Sequence, residues 1–242
     1  MVKTAIQLYT LRNIDLPFAE LLEAVAAVGF DGVEYAYRVT QEDPEAVSDV
    51  LAETGLESAG AHVAIDELEN NLEETVQFYD TLGCENLVVP WLDEKFFATK
   101  EGIATATERL ESIDSELAER DRTLHYHNHA HEYVDCDGRP GFLEFIDTTD
   151  IGLELDLGFI EVADDDPVER LRAVGDRCRL AHLKDFDTAA GESVPVGRGD
   201  LDIESCASTF SEIGGEWLIY EYEGEDALES LEEVASTMAE LV

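Results

Sequence analysis

Histidine is concentrated in one short stretch of the sequence, TLHYHNHAHE, from Thr123 to Glu132. Four of the six histidines of the chain fall in it, at every second position: His125, His127, His129 and His131. The apolar start and the period of two predict the C-terminal end of a β-strand, with alternate side chains on one face. Imidazoles gathered next to a carboxylate suit metal or proton chemistry, because a buried imidazole without a partner is costly. A solvated histidine-rich loop is the alternative.

Further along the chain, single polar residues end three short apolar runs. They are Asp156 in GLELDLGF, His182 in LAHLKD and Glu221 in LIYEYEG. Two carboxylates and an imidazole are suitable ligands for one divalent ion such as Mn²⁺, Co²⁺, Mg²⁺ or Zn²⁺. The histidine stretch would supply a fourth ligand, either the carboxylate of Glu132 or His127, which lies nearer the strand end. Taken singly, Asp156 could instead cap a helix, His182 could be a core histidine and Glu221 a surface residue.

These residues need a fold that brings strand ends together. Strand-like and helix-like segments alternate eight times, which predicts an α/β fold with a single (β/α)8 TIM barrel over residues 1–242. A doubly wound sheet usually has fewer strands, and no G-x-G-x-x-G follows the first strand. The predicted strands are 2–8, 32–35, 56–63, 86–89, a fifth in the histidine stretch, 151–156, 179–184 and 216–222. The predicted helices are 17–28, 44–54, 68–82, 100–120, 141–147, 167–174, 203–213 and 227–241, with a long polar loop at 188–202.

The charge of the chain is extreme. There are 57 Asp and Glu against 15 Lys and Arg, a formal net charge of −42. Disorder is not expected, because 45% of the residues are hydrophobic and the acidic residues are spread along the sequence. We expect a surface adapted to a high-salt cytosol, where molar ions screen repulsion beyond about 3 Å. Nucleic acid is not an expected partner, because its phosphates would be repelled.

The cysteines and the hydropathy pattern place further bounds on the protein. The four cysteines (Cys84, Cys136, Cys178 and Cys206) are far apart without a C-x-x-C pair, so neither a zinc knuckle nor a disulfide framework is indicated. No apolar run approaches the roughly 18 residues of a membrane span, and no signal peptide precedes the first strand. We therefore expect a cytoplasmic protein without a membrane partner. The sequence leaves a homo-oligomer open.

Six motifs together resemble a known family. They are QLYTLR from Gln7, YHNHAHEY from Tyr126, LELDLGF from Leu153, AHLKD from Ala181, VGRGDLD from Val196 and YEYEG from Tyr220. In this order they resemble the sugar phosphate isomerase/epimerase family of the xylose isomerase-like TIM barrel superfamily, over nearly the whole chain. The resemblance implies a Glu-Asp-His-Glu metal site, with Asp156, His182 and Glu221 at the last three positions. At the first position this sequence departs from the pattern, with His127 in register and Glu132 five residues further on.

The resemblance also implies a reaction. A proton would be abstracted α to a carbonyl of a small sugar or polyol, and the metal would hold the resulting enediolate. Glu221 would be ligand and base, with His127 or Glu132 as the partner acid/base. Other residues near the strand ends would bind the substrate by orienting hydroxyls or stacking on a sugar face: Glu34, His62, Trp91, His129 and Lys184. Arg198, in the loop after strand seven, would bind a substrate oxygen or phosphate, with a plain surface arginine as the alternative.

Several functions remain open at this point. The first is a divalent-metal sugar isomerase or epimerase, and the second is an inosose or keto-sugar dehydratase or lyase on the same site. A hydrolytic metalloenzyme related to endonuclease IV is disfavoured, because a trinuclear site needs more His and Asp on the early strands than His62 alone. The last is a non-catalytic sugar-binding barrel. Metal content and solvent proton exchange at the substrate α-carbon would separate an enzyme from such a binding protein.

Overall fold

Eight parallel strands close into a barrel in the computed structural model, which describes the backbone of residues 1–242 and every side chain except that of Tyr37. Each barrel strand pairs with the next one along the chain, and the last pairs with the first. The predicted (β/α)8 barrel is therefore confirmed. The barrel strands are β1 (Lys3–Gln7), β2 (Gly32–Tyr35), β3 (Glu57–His62), β4 (Asn86–Val89), β5 (Thr123–His127), β6 (Gly152–Asp156), β7 (Cys178–Leu183) and β8 (Trp217–Tyr220).

Helices cover the outside of the barrel. They are α1 (Phe18–Val28), α2 (Pro44–Thr54), α3 (Ile65–Thr81), α4 (Lys100–Ala118), α5 (Gly141–Thr148), α6 (Leu157–Val162), α7 (Pro167–Val174), α8 (Ile203–Glu212) and α9 (Ala227–Leu241). Short 3-10 turns lie at Leu8–Leu11, Tyr37–Gln41, Glu94–Phe96, Ala130–Tyr133 and Gly175–Arg177. Within the described chain, no helix is long and apolar enough to cross a membrane.

Local sequence explains where many of the helices begin and end. The side chains of Asp43, Thr99, Asp166 and Asp202 cap α2, α4, α7 and α8 by accepting hydrogen bonds from backbone N–H groups of the first turn. Such a cap stabilises a helix by about 1 kcal/mol, because those N–H groups have no partner within the helix. Helix α1 ends at Gly29, whose φ of 101° is a left-handed conformation that favours glycine.

Three segments differ from the sequence-based expectation. The polar loop at 188–202 is not wholly irregular, since Glu192–Val194 forms a short antiparallel hairpin with Asp185–Asp187. A second small hairpin joins Asp135–Cys136 to Arg139–Pro140. Helix α6 was not expected, because it has only six residues and starts directly after β6. Short elements of this kind are fixed by their tertiary contacts and leave little periodicity in the sequence.

The interior of the barrel is divided between apolar and polar residues. A cluster of buried apolar side chains fills the part towards the N-terminal strand ends: Ala5, Ala59, Val88, Leu180, Trp217 and Ile219. Along β8 the inward positions run from Trp217 through Ile219 to Glu221, because side chains alternate along a strand. The polar part of the interior therefore lies above this apolar plug, at the C-terminal strand ends.

Candidate metal centre

The predicted ligands lie at the ends of the last four barrel strands. His127 ends β5, Asp156 ends β6 and Glu221 directly follows β8. Strand register sets them side by side, because His127 is paired with Glu154 and Asp156 with His182. Glu154 and Asp156 are two residues apart on β6, so both side chains point into the barrel.

Four side chains form what we call the metal cluster: His127, Asp156, His182 and Glu221. One candidate ligand atom of each lies within 4.8 Å of those of the other three. Nδ1 of His182 is 2.9 Å from Oε2 of Glu221, and Nε2 of His127 is 3.9 Å from Oδ2 of Asp156. All four residues are buried. Nitrogen and oxygen donors thus converge at a site shielded from solvent.

The bonding of Asp156 fits a cation at the metal cluster. Its Oδ1 accepts a 2.8 Å hydrogen bond from the N–H of Phe159 in α6, whereas its Oδ2 is buried and has no hydrogen-bond partner. Burial raises the pKa of Asp156 to about 7, a rise that Lys184 opposes and Glu221 reinforces. An unpartnered buried carboxylate oxygen is costly, and a divalent ion would remove that cost. Two carboxylates and two imidazoles suit Mn²⁺, Co²⁺ or Zn²⁺.

Lys184 places a positive charge beside the metal cluster. Its Nζ lies 3.6 Å from Oε2 of Glu221 and also pairs with Glu223. The ammonium group is 4.3 Å from the centre of the Phe159 ring. Burial alone would raise the pKa of Glu221, but Lys184 and the hydrogen bond with His182 outweigh burial and hold that pKa well below its usual value. Glu221 is therefore ionised at neutral pH.

Glu132 lies in a neighbouring cluster with His129 and His131, on the 3-10 turn that follows β5. Its Oε1 accepts a 2.6 Å hydrogen bond from the hydroxyl of Tyr126 and is 3.9 Å from Nδ1 of His129. Its Oε2 is buried without a hydrogen-bond partner. Burial raises the pKa of Glu132 well above its usual value. Of the two candidates for the strand-five ligand, His127 thus lies among the other three ligands and Glu132 lies beside them.

A second buried layer, which we call the imidazole–carboxylate layer, lies one side chain deeper in the barrel. Oε1 of Glu154 is between 2.9 and 3.1 Å from ring nitrogens of His62, His127 and His182. Glu34 joins the layer, because its Oε2 is 2.6 Å from Nε2 of His182 and accepts a 2.6 Å hydrogen bond from Gln7. Burial and the nearby Glu154 raise the pKa of Glu34, whereas the three imidazoles hold the pKa of Glu154 low against its own burial.

Three aromatic side chains, Trp91, His129 and His131, form a wall at the mouth of the barrel. The Trp91 ring centre is 4.1 Å from that of His131 and 4.7 Å from that of His129, which in turn is 4.9 Å from His127. His131 is held in place by a 2.9 Å hydrogen bond between its Nε2 and the Leu92 carbonyl. Trp91 is 54% exposed, so part of a large rigid ring is open to a ligand near the metal cluster.

Comparison with known families decides where the chain belongs. The family described as the xylose isomerase-like TIM barrel matches residues 22–241, nearly the full length. The chain belongs to this family. No curated protein sequence matches the chain as a relative.

Solved structures share the xylose isomerase-like fold over the full chain. A sugar phosphate isomerase/epimerase from Parabacteroides distasonis superposes with a TM-score of 0.83 at 18% identity, covering 98% of this chain and 94% of that one. The probable 3-DHS dehydratase AsbF from Bacillus anthracis has a TM-score of 0.78 at 15% identity, covering 98% and 99%. A D-allulose 3-epimerase from Methylomonas sp. has a TM-score of 0.75 at 14% identity, covering 100% and 98%. At these identities the likeness shows the fold alone.

In this xylose isomerase-like barrel, burial separates the carboxylates of the mouth from those of the surface. Of the 57 acidic residues, six are buried: Glu34, Glu132, Glu154, Asp156, Asp185 and Glu221. Five of these six belong to the metal cluster, the imidazole–carboxylate layer or the cluster around Glu132. Buried carboxylates are rare unless they are paired or hold a metal. The acidic groups that gather at the candidate site thus stand out by burial, although the sequence offers many more.

The sixth buried carboxylate, Asp185, holds the loop that carries the VGRGDLD motif. It accepts hydrogen bonds of 2.9 to 3.2 Å from the N–H groups of Phe186, Gly197, Gly199 and Leu201. A Cβ at Gly199 would lie 2.1 Å from Oδ1 of Asp185, so glycine is needed for this close approach. Arg198, predicted to bind substrate, instead pairs with Glu233 of α9, 2.7 Å away, and both side chains are largely exposed.

Among the other residues predicted to bind substrate, three lie at the mouth and two lie deeper. Trp91, His129 and Lys184 surround the metal cluster, while Glu34 and His62 belong to the imidazole–carboxylate layer. Glu154 contacts two members of the metal cluster but was not predicted from the sequence. Its position two residues before Asp156 on the same strand face was the signal that could have identified it.

Proposed function

We propose that this chain is a divalent-metal-dependent isomerase or epimerase that removes a proton α to the carbonyl of a small ketose or polyol. The observation that carries the proposal is the metal cluster, in which four buried donors converge and Oδ2 of Asp156 has no protein partner. The sugar phosphate isomerase/epimerase and the D-allulose 3-epimerase among the similar structures support a sugar as the substrate class.

Each side chain at the mouth has a role in this proposal. His127, Asp156, His182 and Glu221 would hold the ion, which would draw electron density from the substrate carbonyl and so acidify the neighbouring C–H bond. Glu221, kept ionised by Lys184, takes the proton. Glu132, kept protonated by burial, returns a proton to the substrate. Two carboxylates with pKa values pushed in opposite directions suit a base and an acid.

Charge at the mouth favours a neutral sugar over a phosphate ester. Asp156, Glu221 and Glu223 lie around the mouth, and the nearby cation Lys184 is already paired with two of them. A dianionic phosphate would meet repulsion in this surrounding, whereas hydroxyl groups can donate to carboxylates. The exposed ring of Trp91 offers an apolar face for a sugar ring.

The decisive experiment is a substrate screen in heavy water. Ketoses, inososes and keto-glycosides, each ketose with its phosphate ester as a matched pair, are incubated with the protein and Mn²⁺ in molar KCl. NMR follows deuterium incorporation at the α-carbon and the appearance of epimer or isomer. We expect exchange with a neutral sugar that disappears when the metal is removed with a chelator. Metal binding without exchange across the panel would favour a non-catalytic sugar-binding barrel.

A variant pair ties the exchange to Glu221. Glu221→Gln should lower the rate of deuterium incorporation by about a thousandfold or more, because the amide cannot accept the proton. Glu216→Gln, five residues earlier and exposed beside Arg179 at the other end of β8, is the matched control and should exchange like the parent. Exchange retained in Glu221→Gln would remove Glu221 from the role of base.

A dehydratase is the second candidate for the same site. The raised pKa of Glu132 supports it, because a protonated carboxyl can donate to a leaving hydroxyl. One similar structure is the probable 3-DHS dehydratase AsbF. Loss of water from a keto-sugar or inosose gives a conjugated product that absorbs in the ultraviolet. That absorbance, without an epimer in the NMR spectrum, would favour the dehydratase over the isomerase.

A further inference from the structure

Glu154 holds three imidazoles with a single oxygen. Its Oε1 is 2.9 Å from Nε2 of His62, 3.0 Å from Nδ1 of His127 and 3.1 Å from Nε2 of His182. Glu154 is completely buried. A carboxylate oxygen can only accept hydrogen bonds, so the hydrogen-bonded nitrogens of His62 and His127 must each carry a proton directed at Glu154. Nε2 of His182 lies nearer to Oε2 of Glu34, at 2.6 Å.

The consequence for His127 is a defined tautomer. With the proton on Nδ1, the lone pair is on Nε2, the atom that lies 3.9 Å from Oδ2 of Asp156 in the metal cluster. The alternative tautomer would direct an N–H group at the ion and a lone pair at a carboxylate, and both contacts would be repulsive. Glu154 thus presents the nitrogen that can bind a cation.

His182 has the opposite ring orientation to His127, with Nδ1 rather than Nε2 towards the metal cluster. Its Nε2 lies against Oε1 of Glu154 and Oε2 of Glu34, whereas its Nδ1 faces Glu221 at 2.9 Å. The two histidines therefore use different ring nitrogens towards the metal cluster, Nε2 from His127 and Nδ1 from His182. A carboxylate on the far nitrogen fixes ring orientation and raises the basicity of a metal-binding histidine.

We propose that Glu154 is a positioning residue that fixes the proton of His127 on Nδ1 and, together with Glu34, the ring orientation of His182, so that Nε2 of His127 and Nδ1 of His182 converge on the metal cluster. Glu34 assists at His182, and His62 completes the hydrogen bonds to Glu154. This inference rests on the proposed metal site, because it assigns Glu154 a role in building that site. It gives a function to a buried acidic residue that lies outside the metal cluster.

The test combines metal affinity with direct observation of the tautomer. Glu154→Met keeps roughly the length of the side chain but has no oxygen that can accept a hydrogen bond from an imidazole. We expect the dissociation constant for Mn²⁺, measured by titration calorimetry, to rise 10- to 100-fold. Glu161→Met is the matched control, since Glu161 is partly buried on the adjacent α6 without contact to the histidines, and it should bind Mn²⁺ like the parent.

The tautomer is read from ¹⁵N-labelled histidine in the metal-free protein at pH 7, with signals assigned from a His127→Gln variant. Burial lowers the pKa of His127 to about 4, so the ring is neutral under these conditions. We expect the Nδ1–H form in the parent and a mixture in Glu154→Met. An Nε2–H form of His127 in the parent protein would overturn the proposal, whether or not the variant folds. So would unchanged affinity and tautomer in a folded Glu154→Met.

The same data distinguish a failure of the proposed metal site from a failure of the proposed role of Glu154. A parent protein that binds no divalent metal would end the proposed function, while the tautomer spectrum would still report on Glu154. A parent that binds Mn²⁺ and a variant that binds it equally well, with an unchanged tautomer, would leave the metal site standing and remove Glu154 from it.

Discussion

The carboxylates at the barrel mouth differ in their proton content because their neighbours differ. Glu221 faces Lys184 and His182 and stays ionised, whereas Glu132 is buried against the neutral Tyr126 and keeps its proton. Asp156 lies between these extremes, with a pKa of about 7 that burial raises from the ordinary 3.8. A site that must hold a cation and also move a proton needs such a spread, because ligands have to be ionised and an acid has to be protonated.

Metal binding at the proposed site should depend on pH through Asp156. Its carboxyl must lose a proton to bind an ion, so protons compete with the metal below pH 7. We expect the affinity for Mn²⁺ to fall at least about tenfold for each unit of pH below 7. The stability of the metal-free fold changes with pH in the opposite direction to the metal affinity. A raised pKa means that Asp156 contributes to stability below about pH 4, and that contribution is lost as the pH rises through 7.

Titration calorimetry between pH 5.5 and 8 in two buffers of different ionisation enthalpy measures both the affinity and the protons released. Asp156→Asn should bind Mn²⁺ more weakly at every pH and show a smaller dependence on pH, because the competing proton is gone. An affinity for the parent that stays constant from pH 8 to pH 6 would contradict the raised pKa.

Much of the metal cluster could be predicted from the sequence because strand ends are visible in it. Asp156, His182 and Glu221 each end an apolar run, and the closed barrel brings these ends together. Glu154 could not be identified in this way, because it lies inside a strand between two leucines. At such a position the sequence does not indicate which residues contact a charged side chain. The three histidines that satisfy it come from other strands. Only tertiary structure brings them within hydrogen-bonding distance.

At the scale of elements, the loop between β7 and α8 shows how a motif can be structural. The carboxylate of Asp185 accepts hydrogen bonds from four backbone N–H groups, as a neighbouring strand would. Two of these N–H groups belong to glycines of the VGRGDLD motif. The sequence suggested a substrate-binding role for Arg198 in this loop. In the structure Arg198 pairs with Glu233 on α9, and its role towards a substrate stays a prediction. The orientation of a loop side chain depends on contacts that no local pattern encodes.

Removal of the Asp185 carboxylate should loosen this loop. Asp185→Ala leaves four N–H groups without an acceptor, and we expect a loss of unfolding free energy of about 3 kcal/mol or more. Asp200→Ala is the matched control, because Asp200 lies in the same loop and accepts hydrogen bonds only from Thr188 on the exposed surface. It should cost about 1 kcal/mol or less. Thermal melts and limited proteolysis in molar KCl measure the two effects, and equal losses would show that Asp185 is not the anchor.

At the scale of the whole molecule, the surface carries nearly all of the acidic charge. Six of the 57 acidic residues are buried, so the excess over the 15 basic residues is displayed to solvent. Individual surface pairs such as Lys3 with Glu57 and Arg109 with Glu69 can neutralise only a small part of it. Dense like charge destabilises a compact state through self-repulsion, and salt screens that repulsion.

We therefore propose that the folded state requires high salt, and this predicts the direction of a melting experiment. The screening length falls from about 10 Å at 0.1 M salt to about 3 Å at 1 M, so repulsion between neighbouring surface carboxylates weakens over this range. If the weaker repulsion stabilises the folded state by several kcal/mol, the melting temperature should rise by about 10 °C or more between 0.1 and 2 M KCl. The reason is that 1 kcal/mol shifts the melting temperature of a chain of this size by about 2–4 °C.

A parallel series in sucrose, which favours burial without screening charge, separates charge screening from a general strengthening of burial. A melting temperature that rises equally in sucrose, or that stays constant in KCl, would show that surface repulsion does not limit the stability of this barrel.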